Sequence, residues 1–256
     1  MNNREFSVGR ISIGEAAVTW RDIALRPYRL VWRNLAAILL ASVVPATALT
    51  LSLWLVVPNR AASGAAYIAA LLFIAMLCVD LHRVILRPGD SDVRLCFTRV
   101  PRRRDWKYFG VLFLYLIFDR VSENLQSLFA LPDRDLRALG TYAVIFVIFL
   151  FVWRRVAFVL PAIATDTDQP LRHAWRSSGA GYAWFWFGVV AIVPGVFVLV
   201  FLANVAAAFI GMAVPAEYAA GVYTLPGVVG VIGFHILYTA TTANLYALET
   251  SGPPRS

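Results

Sequence analysis

Three carboxylates of this 256-residue chain, Asp80, Asp119 and Glu123, fall inside long apolar stretches, and Arg83, Arg120, Arg154 and Arg155 fall there with them. Ionisable groups at hydrocarbon depth are costly to keep charged, so they make the first candidate cluster for pairing, ion conduction or proton handling. At about 1.5 Å per helical residue, Asp80 lies roughly 24 Å from one end of its stretch. On the same scale Arg154 and Arg155 lie about 20–21 Å from the corresponding end of theirs. The matched depths make an ion pair of Asp80 with Arg154 or Arg155 geometrically possible, with Arg83 at i+3 as the local alternative. Asp119 and Glu123 are four residues apart and share one helical face, an arrangement that suits a proton or a metal ion. A solvated, amphipathic helix end explains the same pattern more simply. Arginines near a stretch end can equally snorkel to headgroups.

The residue types needed for other chemistry do not converge. His82, His173 and His235 lack zinc-site spacing. There is no phosphate-cradling glycine loop and no nucleophile elbow. No nucleophile, base and oxyanion donors assemble into a set. We therefore expect no catalytic residues, no cofactor and no metal. His235, Thr239, Thr242 and Asn244 fall partly along one side of the last stretch, and Asn204 sits in the one before. Such residues usually make interhelical or backbone hydrogen bonds. Cys78 lies in a stretch and Cys96 in a connection, which argues against a disulfide.

The elements that must position these groups follow from composition. Hydrophobic residues make up 60% of the chain and charged residues 15%, far from the roughly 25% charged share of soluble domains. Six apolar stretches, at 35–57, 65–86, 107–131, 141–163, 183–213 and 221–248, each meet the roughly 20 residues needed to cross a bilayer. Their lengths exclude barrel strands. The expected fold is all-α: one polytopic integral membrane helical bundle over 1–256, with six transmembrane helices and amphipathic surface helices on the cytoplasmic side. Of the 23 Lys and Arg residues, 19 fall on one side of this topology and 4 on the other. The positive-inside rule puts the nineteen, and both termini, in the cytoplasm. The first 34 residues are polar and basic, so no cleavable signal peptide is expected.

Ser12-Ile-Gly-Glu15 reads as a capping box, followed by Ile13, Ala16, Ala17, Trp20, Ile23 and Ala24 on one face, with Pro27 ending the pattern. That predicts an amphipathic helix on the inner membrane surface or on the bundle itself. Asp168 and Pro170 open a similar stretch that contains Arg172 and Arg176. Thr19-Trp20-Arg21 echoes Ala174-Trp175-Arg176, and Asp90 to Arg94 echoes Asp168 to Arg172, which hints at three copies of a surface helix followed by a two-span hairpin. Trp32, Trp54, Trp106, Tyr108, Tyr182, Trp184, Trp186, Tyr218 and Tyr246 gather at span ends, as an interfacial belt does.

The run from Trp153-Arg154-Arg155 through Pro161, then Pro170-Leu-Arg-His-Ala174-Trp175-Arg176, resembles a group of bacterial six-span proteins. These are the YciC-like inner-membrane proteins and the membrane domain attached to some glycerophosphoryl diester phosphodiesterases. Phe6-Ser-Val-Gly9, Ser12-Ile-Gly-Glu15 and Leu245-Tyr246 are similar too. The resemblance implies a bacterial cytoplasmic membrane and lipid or envelope work, and it supplies no catalytic residues. The chain leaves no room for a phosphodiesterase domain, so that activity is not expected.

Three functions remain as expectations. The first is a non-enzymatic membrane protein that meets anionic phospholipid headgroups through Arg102, Arg103, Arg104, Arg154, Arg155, Arg172 and Arg176. It leaves room for a protein partner or a homo-oligomer. The second is a small transporter or channel along Asp80, Arg155, Asp119 and Glu123. The third, an intramembrane enzyme, lacks its residue set. The basic run 99–107 with Trp106 fits nucleic acid by composition, but beside a span headgroups are the simpler partner, so no nucleic acid is expected.

Overall fold

The computed structural model describes residues 20–56, 58–87, 99–114, 157–177, 182–215 and 221–250, together with 117, 151, 153 and 155. All regular structure among them is helical. The elements are α1 (Trp20–Ala24), α2 (Arg26–Arg33), α3 (Leu35–Trp54) and α4 (Arg60–Leu86), then α5 (103–114), α6 (Val159–Ala164), α7 (Pro170–Ser177), α8 (Tyr182–Ala213) and α9 (Leu225–Thr250).

Four helices, α3, α4, α8 and α9, are long and apolar enough to cross a bilayer. They correspond to the expected stretches 35–57, 65–86, 183–213 and 221–248. The other two expected spans, 107–131 and 141–163, are represented by their ends alone, since 118–150 lies outside the described residues. α9 is the centre of the bundle: 72% of its apolar window is buried, against 17% for α8 and 28% for α3. α9 packs against α8, α4, α3 and α2. The outer helices α3 and α8 expose Leu39, Leu40, Val43, Phe197, Phe201 and Phe209, as helices do whose solvent is itself apolar.

Local chemistry fits this setting. Asn59 caps α4, its side-chain oxygen accepting from the Ala62 amide at 3.0 Å. In α3 the hydroxyls of Ser42, Thr47 and Thr50 donate to carbonyls one turn back, which leaves no bare donor in an apolar surround. The surface helix ends at Ala24, where the pattern before Pro27 ends; after a turn at Leu25, Pro27 stands in the first turn of a new helix, α2. A first-turn proline has no amide that the helix needs. Residues 12–19, the capping-box half of the expected amphipathic helix, lie outside the described residues.

The bundle has two chemically distinct ends. At one, Trp54 and Gly221 meet: a β-carbon added to Gly221 would run into the Trp54 ring, so only glycine admits that contact. At the other, the guanidinium of Arg87 donates to the Thr165 carbonyl, and Asn244 ties α9 to the Asp22 carbonyl of α1 at 2.9 Å. Residues 87 and 165 thus emerge at the same end, the arginine-rich one. α4 starts at Arg60, five residues earlier than expected. Counting about 20 residues for the hydrocarbon from there reaches Val79. Asp80 and Arg83 stand in the last two turns of α4 and Arg87 just past it, toward the arginine-rich end.

Candidate functional site

Asp80, Arg83 and Arg87 recur at i, i+3 and i+7 and so share a face of α4. The segment 99–105 closes over that face. Arg99 binds Asp80 with two bonds, Nε to Oδ2 at 3.0 Å and Nη2 to Oδ1 at 2.9 Å. The same guanidinium binds both oxygens of Asp105, with Nη2 to Oδ1 at 2.8 Å, and approaches the Met76 carbonyl at 3.5 Å. Asp105 has a second task. It is the third residue of α5, and its Oδ2 accepts from the Arg102 backbone amide at 2.6 Å, half of a capping box.

Burial sets the energetics of this triad. Asp105 is 0% and Asp80 6% exposed, and the Arg99 side chain is 14% exposed. Burial alone disfavours the Arg99 cation, but Asp105 and Asp80 outweigh it and push its pKa up. Arg99 is thus a fixed charge at any working pH.

A second pairing lies beside the first. Asp166 Oδ2 accepts from Arg104 Nη1 at 2.8 Å and from Arg83 Nη1 at 3.2 Å. Asp166 has φ 54°, in the left-handed region. It occupies the position past the C-cap of α6 in a Schellman motif: the Thr167 amide reaches the Ala162 carbonyl at 3.0 Å and the Asp166 amide reaches Ile163 at 3.2 Å. Glycine usually fills that position. Here an aspartate bears the backbone cost and holds two arginines.

Against α5, the loop from Asp166 to Pro170 leaves a cleft of about 260 Å³, with Arg103, Arg104 and Lys107 on the opposite wall. Arg103 and Lys107 are exposed, as are the flanking Trp106 and Leu171. The Arg104 Nε is buried and has no partner among the described residues.

A separate polar knot joins α4, α5 and α9. His82 faces the Cys78 carbonyl at 2.9 Å, Thr242 Oγ1 at 3.3 Å and the Tyr108 hydroxyl at 3.4 Å. It is fully enclosed and structural. Among the described residues no three His, Cys, Asp or Glu side chains gather as metal ligands.

The expected charge cluster is thus partly redistributed. Asp80 is paired with Arg99, and the expected partner Arg154 lies outside the described residues. The 24 Å depth matched to Arg155 was counted from residue 65, and α4 starts at Arg60. Arg155 instead donates to the Trp175 carbonyl and lies over the rings of Trp175 and Phe151 at 4.6 and 5.3 Å. Arg83 pairs with Asp166. Arg102 and Arg103 are exposed, Arg104 is paired, and Arg172 is exposed with Nη1 on Gln169 Oε1 at 3.3 Å. Asp119, Arg120, Glu123, Arg154 and the Arg176 side chain lie outside the described residues. Sequence reasoning missed Arg99, Asp105 and Asp166. Asp105 carried a signal, an acid three residues after a helix start. Arg99 carried none, because its partners are set by chain folding.

No protein-family model matches the chain, and no curated protein or solved structure does.

Proposed function

We propose that this is a six-span protein of a bacterial cytoplasmic membrane, of the YciC-like kind, whose arginine-rich end faces the cytoplasm and engages anionic phospholipid headgroups without catalysing a reaction. It acts in envelope or lipid homeostasis or as a scaffold for a protein partner or a second copy. One observation carries the reading. Arg102, Arg103, Lys107 and Arg172 are exposed, as are Trp106, Leu171 and Trp175, on or next to α5 and α7, which flank one cleft. Cations interleaved with exposed aromatic and aliphatic side chains match the boundary between headgroups and acyl chains.

Residues 87 and 165 stand at one end of the bundle, which is compatible with two further crossings at 107–131 and 141–163; those two would bring the four long helices to six. Both termini then share the arginine-rich side, on which 19 of 23 cationic residues fall.

The test is lipid analysis of the purified full chain. The wild type is expected to retain phosphatidylglycerol or cardiolipin in excess of the host membrane's proportions. The combined Arg102→Gln, Arg103→Gln, Arg172→Gln variant is expected to lose that excess. Retained lipid that merely mirrors the membrane would overturn the reading. Reporters fused at the two ends must show the same compartment.

A further inference from the structure

We infer that the cleft between α5 and the Asp166–Pro170 loop is a discrete seat for the phosphate of one phospholipid headgroup, a step that rests on the lipid-facing reading of this end. Arg103 and Lys107 stand four residues apart on one face of α5, where like charges repel. Among the described residues neither is paired with a carboxylate. An anion held between them turns that repulsion into two charge-assisted contacts.

The opposite wall adds to the attraction. It contains Gln169 and Pro170, the entry to the eight-residue α7. The first helical bond of α7 runs from the His173 amide to the Gln169 carbonyl at 3.0 Å. The amides of Leu171 and Arg172 therefore precede the helical ladder, and the positive end of the helix lies at the cleft wall. Asp166 does not cancel this field, because Arg104 and Arg83 already neutralise it at 2.8 and 3.2 Å. Asp168, also in the wall, is the lining carboxylate with no arginine partner among the described residues, and a headgroup hydroxyl is the group it would accept from.

Size and surroundings select an amphiphile. The cleft, about 260 Å³, is at the small end of ligand sites. It suits a headgroup rather than an extended cofactor. Trp106 and Leu171, next in the chain to Lys107 and Pro170 of the lining, are 54% and 71% exposed and offer acyl chains apolar surface near the phosphate.

The probe is phosphatidylglycerol titrated into the full chain in neutral detergent, read by native mass spectrometry. The expected result is one tightly held lipid per chain. The Arg103→Gln, Lys107→Gln double variant should weaken that first binding step by about tenfold or more. Arg29→Gln, an exposed site on α2, should leave it unchanged. Both altered residues are exposed, and an unchanged thermal transition verifies the fold. Equal weakening by Arg29→Gln, or none by the double variant, overturns the cleft while excess anionic lipid on the wild type would still support the broader reading. Displacement of the lipid by glycerol phosphate at matched concentration overturns the lipid source and assigns the cleft to a soluble phosphate.

Discussion

Removing Arg99 should unfold the arginine-rich end of this protein. Its guanidinium is the shared counter-ion of two carboxylates that are 6% and 0% exposed. The Arg99→Ala variant leaves both buried and loses four charge-assisted bonds. Breaking a buried pair by deleting one partner costs about 3–5 kcal/mol, most of it the penalty of the stranded charge. A second carboxylate on the same cation puts Arg99→Ala at the upper end of that range. For a chain of this length that is on the order of 10 °C in Tm. The assay is tryptophan fluorescence of the full chain in detergent during heating. A double-mutant cycle with Asp80→Asn separates the pair from the packing: the Asp80→Asn, Arg99→Ala double variant should be less destabilised than the sum of the single changes by about 1 kcal/mol or more. Arg99→Lys should fall between, since an ammonium cannot bind two carboxylates in bidentate fashion. An Arg99→Ala transition within about 2 °C of wild type would refute the claim that this triad clamps 99–105 to α4.

Three further outcomes follow from the geometry. Asp166→Asn keeps a residue that tolerates the left-handed region and loses two ion pairs whose carboxylate is half-exposed but whose arginines are largely buried, so it should cost about 1–2 kcal/mol. Asp166→Ala adds the backbone penalty, about 1 kcal/mol more, and the difference between the two thermal transitions measures it. Gly195→Ala should destabilise by about 1–3 kcal/mol, because its β-carbon would lie 2.5 Å from the Tyr28 ring, whose hydroxyl donates to the Ala191 carbonyl beside Pro194; an unchanged transition counts against that seat. Burial pushes the Tyr28 pKa above 10.0. A raised folded-state pKa gives stability that is full below pH 10 and lost as pH rises toward the folded value. Alkaline unfolding should therefore be shallower in Tyr28→Phe than in the wild type, and identical alkaline slopes would count against the burial argument.

The sequence by itself determined that the chain is helical and that α3, α4, α8 and α9 are membrane-length elements. Apolar run length is a local property, and a bilayer demands it of each helix independently. It also gave an expected charge asymmetry, counted on a six-span topology, because arginines can be assigned to connections once the apolar stretches are drawn. Helix boundaries were less legible: Arg60 lies inside the observed α4, since Asn59 caps it and the hydrophobic pattern does not report caps.

Only the tertiary structure decided the pairings. Asp80 had plausible partners in Arg83, Arg154 and Arg155, and the fold gave it Arg99. That contact depends on how 99–105 returns across α4. Asp166 holding Arg83 and Arg104 depends on a Schellman turn that brings α6 to the end of α4. A charge pair is a property of two surfaces meeting in space. One-dimensional spacing constrains it only when both partners share a helix, and here none of the Asp80, Asp105 and Asp166 pairs with Arg99, Arg83 and Arg104 falls within a single helix.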